Sequence, residues 1–108
     1  MGFAELAAKD SESPREEQVP LGGGLVTVRA AEAKEVISAT SYAANGNEGD
    51  FALALAVLSI VDDDGTRPLV DAGGSLDRGL AELRSMRPGP QMDLRAAALR
   101  VNGFARGN

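Results

Sequence analysis

Three consecutive aspartates, Asp62-Asp63-Asp64, followed by Gly65, are the densest group of chemistry-bearing side chains in the chain. A calcium loop of the EF-hand kind needs oxygen ligands at its positions 1, 3 and 5, glycine at 6 and an acid at 12. With Gly65 at position 6, Asp62, Asp64 and Asp71 fall on 3, 5 and 12, but position 1 falls on Ile60, whose side chain has no oxygen. Adjacent carboxylates can also divide acid and base roles, but that needs a pocket and one raised pKa. The expected reading is a solvated Asp-Gly turn after a buried segment.

The other candidates are thinner. The chain has no Cys and no His. Disulfides, zinc thiolate or imidazole sites and Ser-His relays are therefore excluded. A Ser-Lys pair would have to use Lys9 or Lys34, the two lysines present. Lys34 and Ser38 stand four apart on one predicted helix, where an exposed lysine beside Glu35 is ordinarily solvated. Gly22-Gly23-Gly24 lacks the Gly-Lys-Ser/Thr that completes a phosphate loop, so it reads as a hairpin turn. No catalytic, cofactor-binding or metal-binding residue is assigned. The expectation is a protein that is not an enzyme and works by contact.

The elements that would carry such contacts follow from periodicity. The chain of 108 residues suits one domain, and 44% apolar content permits a core. Aromatics are only 4%, so that core must be Ala, Leu and Val. Residues 1–16 are expected as a short N-terminal helix and a flexible arm, and 17–108 as a single domain. A β-hairpin is predicted over 17–29, with strands 17–21 and 25–29. Helices are predicted over about 30–44, 50–61, 75–86 and 91–102. The first carries Val36, Ile37 and Thr40 on its apolar side and stops at Asn45-Gly46. The second, FALALAVLSIV, is apolar all round, and its three alanines favour helix over strand. Ser75 is a candidate cap for the third, which carries Leu76, Leu80 and Leu83, and Gly79 inside it should weaken it by about 1 kcal/mol. Arg87-Pro88-Gly89-Pro90 should end it. The fold class is α+β, mainly α: an N-terminal β-hairpin followed by a small bundle of about four helices.

Charge adds direction. Residues 1–70 hold 12 acids and 5 bases, whereas 71–108 hold 4 acids and 6 bases, all of them Arg. A net −5 chain is a poor binder of phosphate backbones, so no nucleic acid is expected. The longest apolar run, Phe51 to Val61, is too short for a bilayer, which takes about 20 residues, so no membrane partner is expected. The N-terminus MGFAELAAKD, charged at Glu5, Lys9 and Asp10, is not expected to act as a secretory signal, and Leu6 stands where a myristoylation site wants Ser or Thr.

Four stretches in order carry a family resemblance: LVTVRAAEAKEV, LAVLSIVDDDGTRPLV, SLDRGLAELRSM and AALRVNGF. Together they resemble the small tail assembly chaperones of phages with long, non-contractile tails, and of related prophages and gene transfer agents. The likeness spans about residues 1–104. It implies a non-enzymatic factor that binds the tape measure protein, the long helical chain that sets tail length. Such a factor keeps that chain soluble and recruits tail tube subunits. It implies action in the host cytoplasm and absence from the mature virion. Many members also have a longer, frameshifted product, of which this chain would be the unextended form. Covering a long helix takes many copies, so a homo-oligomer is expected, with the acidic front meeting the Arg-bearing rear. Arg84, Arg87, Arg95 and Arg100 are candidate docking residues, with Leu94 and Leu99 as apolar anchors. The competing expectation is a small head–tail connector or tail completion protein that stays in the particle.

Overall fold

The computed structural model describes residues 2–12, 15–42 and 48–104. Glu16–Leu21 (β1) and Gly24–Arg29 (β2) pair antiparallel, with Leu21 opposite Gly24. Only Gly22 and Gly23 are left to turn. Their φ angles, 58° and 85°, are both positive, which a type I′ turn requires. Gly24 already belongs to β2, so the glycine run makes a tighter turn than the three-residue one expected. Alternation then sets the faces. Val19 and Val28 are buried and Val26 is half-buried, while Gln18 and Leu25 lie exposed.

Phe3–Glu12 forms α1, which takes in residues 9–12 of the arm expected to be irregular. Ala33–Tyr42 forms α2. Its inner face differs from the expected one: Ala39 is buried and Val36 half-buried, whereas Ile37 and Thr40 are exposed. Ala39 brings α2 close to the next helix, which the bulkier Ile37 would hold off. The expected stop at Asn45-Gly46 lies outside the described residues.

Glu48–Ser59 forms α3, and every residue from Ala52 to Ser59 is buried. The predicted helix over 50–61 is corrected at its end. Ile60–Val61 is a strand, β3, paired antiparallel with β2, Ile60 opposite Val28 and Val61 opposite Thr27. The sheet order is β1-β2-β3. Both residues are β-branched, which disfavours helix and suits a strand, and β2 offers them an open ladder.

Asp77–Arg84 forms α4, with Leu76, Leu80 and Leu83 buried as the leucine stripe predicts. Leu76 occupies the N-cap position without a side-chain bond; the Asp77 amide instead donates to Ser75 Oγ at 3.3 Å. Pro88–Val101 forms α5, three residues earlier than predicted. Pro88 starts this helix as well as closing the previous one. A proline at the first helical position loses no hydrogen bond, and it holds Arg87 extended at φ −60°, ψ 145°. The C-terminus of α5 ends in a Schellman motif. The Gly103 amide donates to Arg100 O at 3.1 Å and the Phe104 amide to Leu99 O at 2.8 Å, with Gly103 at φ 81°.

The architecture is α+β, mainly α. α3 is its axis: α2, α4 and α5 pack around it, and α5 also covers one face of the sheet. Leu55, Val57, Leu76, Leu94 and Val28 fill the centre, and Ala54, Ala56, Ala97 and Ala98 let the helices approach closely. Among the described residues no helix is long and apolar enough to cross a membrane.

Candidate interaction surfaces

The aspartate stretch forms a turn. The Gly65 amide donates to Asp62 O at 2.8 Å, and the Asp62 amide donates to Thr66 O at 2.8 Å, with Gly65 at φ 84°. Thr66 Oγ1 and the Thr66 amide both donate to Asp64 Oδ1, at 2.7 and 3.0 Å. The bonds from the Thr66 hydroxyl and amide hold the Asp64 carboxyl below its ordinary pKa. The group is therefore tuned to stay ionised in water and cap its own loop. Arg67, just beyond, pairs with Glu35 at 2.6 Å and donates to the carbonyl of Leu58, fixing this loop to α2 and α3.

The end of α5 is fixed by Asn102. Its Nδ2 donates to Ser59 Oγ at 3.0 Å and to Ala98 O at 2.8 Å, and its Oδ1 accepts from the Ala31 amide at 2.8 Å. One side chain thereby joins α5, the α3–β3 junction and the start of the β2–α2 link. Ser59, fully buried, finds its partner here.

Orienting α5 this way decides which of its residues look outward. Leu94, Ala97, Ala98 and Val101 are buried. Leu94 is 2% exposed and so is core, not an outward anchor. Met92 is 61% exposed, and Ala96 and Leu99 are half-buried. Spaced four and three apart, these three form a second apolar stripe, from which Met92 projects into solvent while Leu99 also packs against the core. Of the two expected anchors, Leu99 lies on that stripe. Phe104 continues the surface, packing edge-on against Phe51 with ring centroids 5.2 Å apart.

The four arginines divide. Arg100 grips Glu17 bidentately, Nε donating to Oε2 at 2.9 Å and to Oε1 at 3.2 Å, and Nη2 to Oε1 at 2.8 Å. Arg84 stands 3.6 Å from Asp50. The guanidinium groups of Arg87 and Arg95 have no ion-pair partner among the described residues. Arg95, half-buried, borders the Met92–Ala96–Leu99 stripe; Arg87 lies at the opposite end of α5 from Arg100.

The hydrogen bond from Arg100 lowers the Glu17 carboxyl below its ordinary 4.5. Ionised Glu17 is thus favoured by folding. Its contribution is complete above about pH 4.5 and is lost as pH falls through the lowered value. Both side chains are substantially exposed, so the pair is worth at most about 1 kcal/mol. Denaturation in urea should show wild type losing its advantage over Glu17→Gln as pH drops from 6 to 3. An advantage that stays constant across that range would contradict this.

A groove opens at the far end of the sheet. Leu21 and Val26 of the hairpin, Pro68 and Leu69 of the loop after β3, and Leu83 and Met86 at the end of α4 enclose about 390 Å³ above buried Leu94. Glu82 is the charged residue on its lining, and Arg78 holds it at 2.8 Å. Finally, residues 2–9 of α1 are all exposed, Phe3 to 85% and Leu6 to 53%.

The sequence reading missed Met92 and Ala96, although their spacing with Leu99 was there to be found. It had no means of finding the groove, which four separate segments build. Comparisons with protein-family models, with curated proteins and with solved structures found no match.

Proposed function

We propose that this chain is a non-enzymatic assembly chaperone for a long, non-contractile phage tail. It binds and solubilises the tape measure protein and recruits tail tube subunits while the tail is built. It acts in the host cytoplasm and leaves before the particle is complete. The four family-like stretches motivate this reading. The observation that carries it is the second stripe of α5, Met92, Ala96 and Leu99, with Met92 exposed and Arg95, which has no ion-pair partner among the described residues, at its border.

The exposed part of this stripe, Met92 above all, is apolar surface that the fold leaves open to water. A long amphipathic helix without its tube carries the complementary liability, an apolar face open to water. Laid along α5, such a helix covers Met92 and Leu99, and small Ala96 between them lets the two backbones come close. An acidic residue beside the client's apolar face would meet Arg95. Contacts of this kind, repeated copy by copy, keep a long chain soluble without any reactive group.

The double variant Met92→Glu, Arg95→Glu tests this. It should lower recovery of the tape measure protein in a pull-down by about 10-fold or more, equivalent to about 1.4 kcal/mol. Its melting temperature should stay within a few degrees of wild type, since surface changes of this kind usually cost less than about 0.5 kcal/mol. Undiminished recovery would reject the α5 face. Mass spectrometry of purified particles should find the chain missing; stoichiometric amounts would instead mark a head–tail connector or completion protein.

A further inference from the structure

We infer that the groove between the hairpin tip and the α4–α5 corner receives α1 of a second copy of this chain, joining copies head to tail. The two surfaces match in chemistry. α1 presents Phe3 and Leu6 three residues apart, hence on one face, and both are largely exposed. The groove presents Leu21 and Pro68, both exposed, beside Val26, Leu69 and Met86, which are half-buried against the core. Helix-in-groove recognition uses anchors at this spacing.

Charge favours the same pairing. The α1 segment holds Glu5, Asp10 and Glu12 against the single Lys9. Two arginines follow lining residues directly in sequence: Arg87 after Met86, without an ion-pair partner among the described residues, and Arg84 after Leu83, its contact with Asp50 3.6 Å long. Glu82 on the lining is already neutralised by Arg78.

Position selects another copy over the chain's own α1. The arm joins the body at Glu16, the end of β1 that Arg100 and Glu17 tie to the C-terminus of α5. The groove lies at the other end, by the Gly22-Gly23 turn. Six strand residues, about 17 Å, separate the two ends, and α5 lies over the intervening sheet face. In the structure α1 stands clear of the groove, with residues 2–9 exposed. Because donor and acceptor surfaces differ, a bound copy still has one of each to offer, and the contact can pass from copy to copy as a row or a ring. The interface is small, so association is weak and concentration-dependent. It leaves the outer stripe of α5 available, and it stands or falls independently of what that stripe binds.

Sedimentation of the full chain tests the inference. Wild type should grow in mass as its concentration rises towards about 1 mM, where even a millimolar contact is half-formed. Phe3→Asp with Leu6→Asp, and separately Leu21→Asp with Arg87→Glu, should each remain monomeric. Mixed together, those two variants should form a dimer and stop there, since one supplies the intact groove and the other the intact helix. The inference is overturned if wild type stays monomeric throughout. It is equally overturned if either double variant associates like wild type, or if the mixture fails to pair while circular dichroism shows both partners folded. A wild-type monomer whose Phe3 and Leu6 amides exchange slowly would identify the chain's own α1 as the occupant.

Discussion

Gly79→Ala should destabilise the fold by about 2–3 kcal/mol, although it replaces glycine with the best helix former. In an exposed helix the change would gain about 1 kcal/mol. Here Gly79 is buried where α4 crosses α3 and the loop after β3. A Cβ at this position would overlap the carbonyl oxygen of Leu69, approach Val57 Cγ1 to 2.7 Å and reach Leu69 Cβ at 3.0 Å. The Leu69 oxygen is backbone and Val57 is fully buried, so neither neighbour yields cheaply. Either α4 lifts off α3 or the loop after β3 moves, and both loosen Leu76 and Leu80. For a domain this size the loss corresponds to a drop of roughly 10–20 °C in melting temperature. An unchanged or raised melting temperature would mean that α4 does not pack as described.

Asn102→Leu should cost a similar amount, about 2–4 kcal/mol, by a different route. The change keeps the branching of the side chain but deletes both a donor and an acceptor. The Ser59 hydroxyl, fully buried, and the Ala31 amide lose their partner together, along with the bond to Ala98 O. An orphaned buried polar group costs about 1–3 kcal/mol, which exceeds the net worth of the bond itself. Ser59→Ala should be milder, about 1 kcal/mol, because it removes one side of a single bond. In the double variant the two effects should fall short of adding, since both act through one contact. Exchange of the Ala31 amide with solvent should speed up in Asn102→Leu and stay slow in Ser59→Ala. Strict additivity, or an Ala31 amide equally protected in both, would contradict this account.

These two residues also show where sequence reasoning reaches and where it stops. Gly79 was visible as a weak point of a helix, because propensity is local. That it is instead a contact point depends on Val57 and Leu69, which no spacing within α4 reveals. Asn102 is where the last predicted helix, over about 91–102, was expected to end, and the Schellman turn ends it there. Its bonds to Ser59 and Ala31 reach 43 and 71 residues back along the chain. The hairpin and the leucine stripe of α4 came through because alternation and 3.6-residue periodicity announce them. The end of α3 did not: FALALAVLSIV reads as one run, and only the open ladder of β2 divides it at Ser59. Pro88 was read as a terminator, which is half its role. On α5 Leu94 was taken for an anchor when it is core. Leu94 and Met92 are two apart and so sit on different sides of the helix, and the deeper stripe claimed Leu94.

The central claim is that covering another chain's apolar surface, not any reactive group, is the work of this molecule. The most direct measurement is the soluble fraction of the tape measure protein expressed with and without this chain. Co-expression should move most of the tape measure protein from pellet to supernatant, and the Met92→Glu, Arg95→Glu variant should leave it in the pellet. If the tape measure protein precipitates equally in all three cases, the account is wrong.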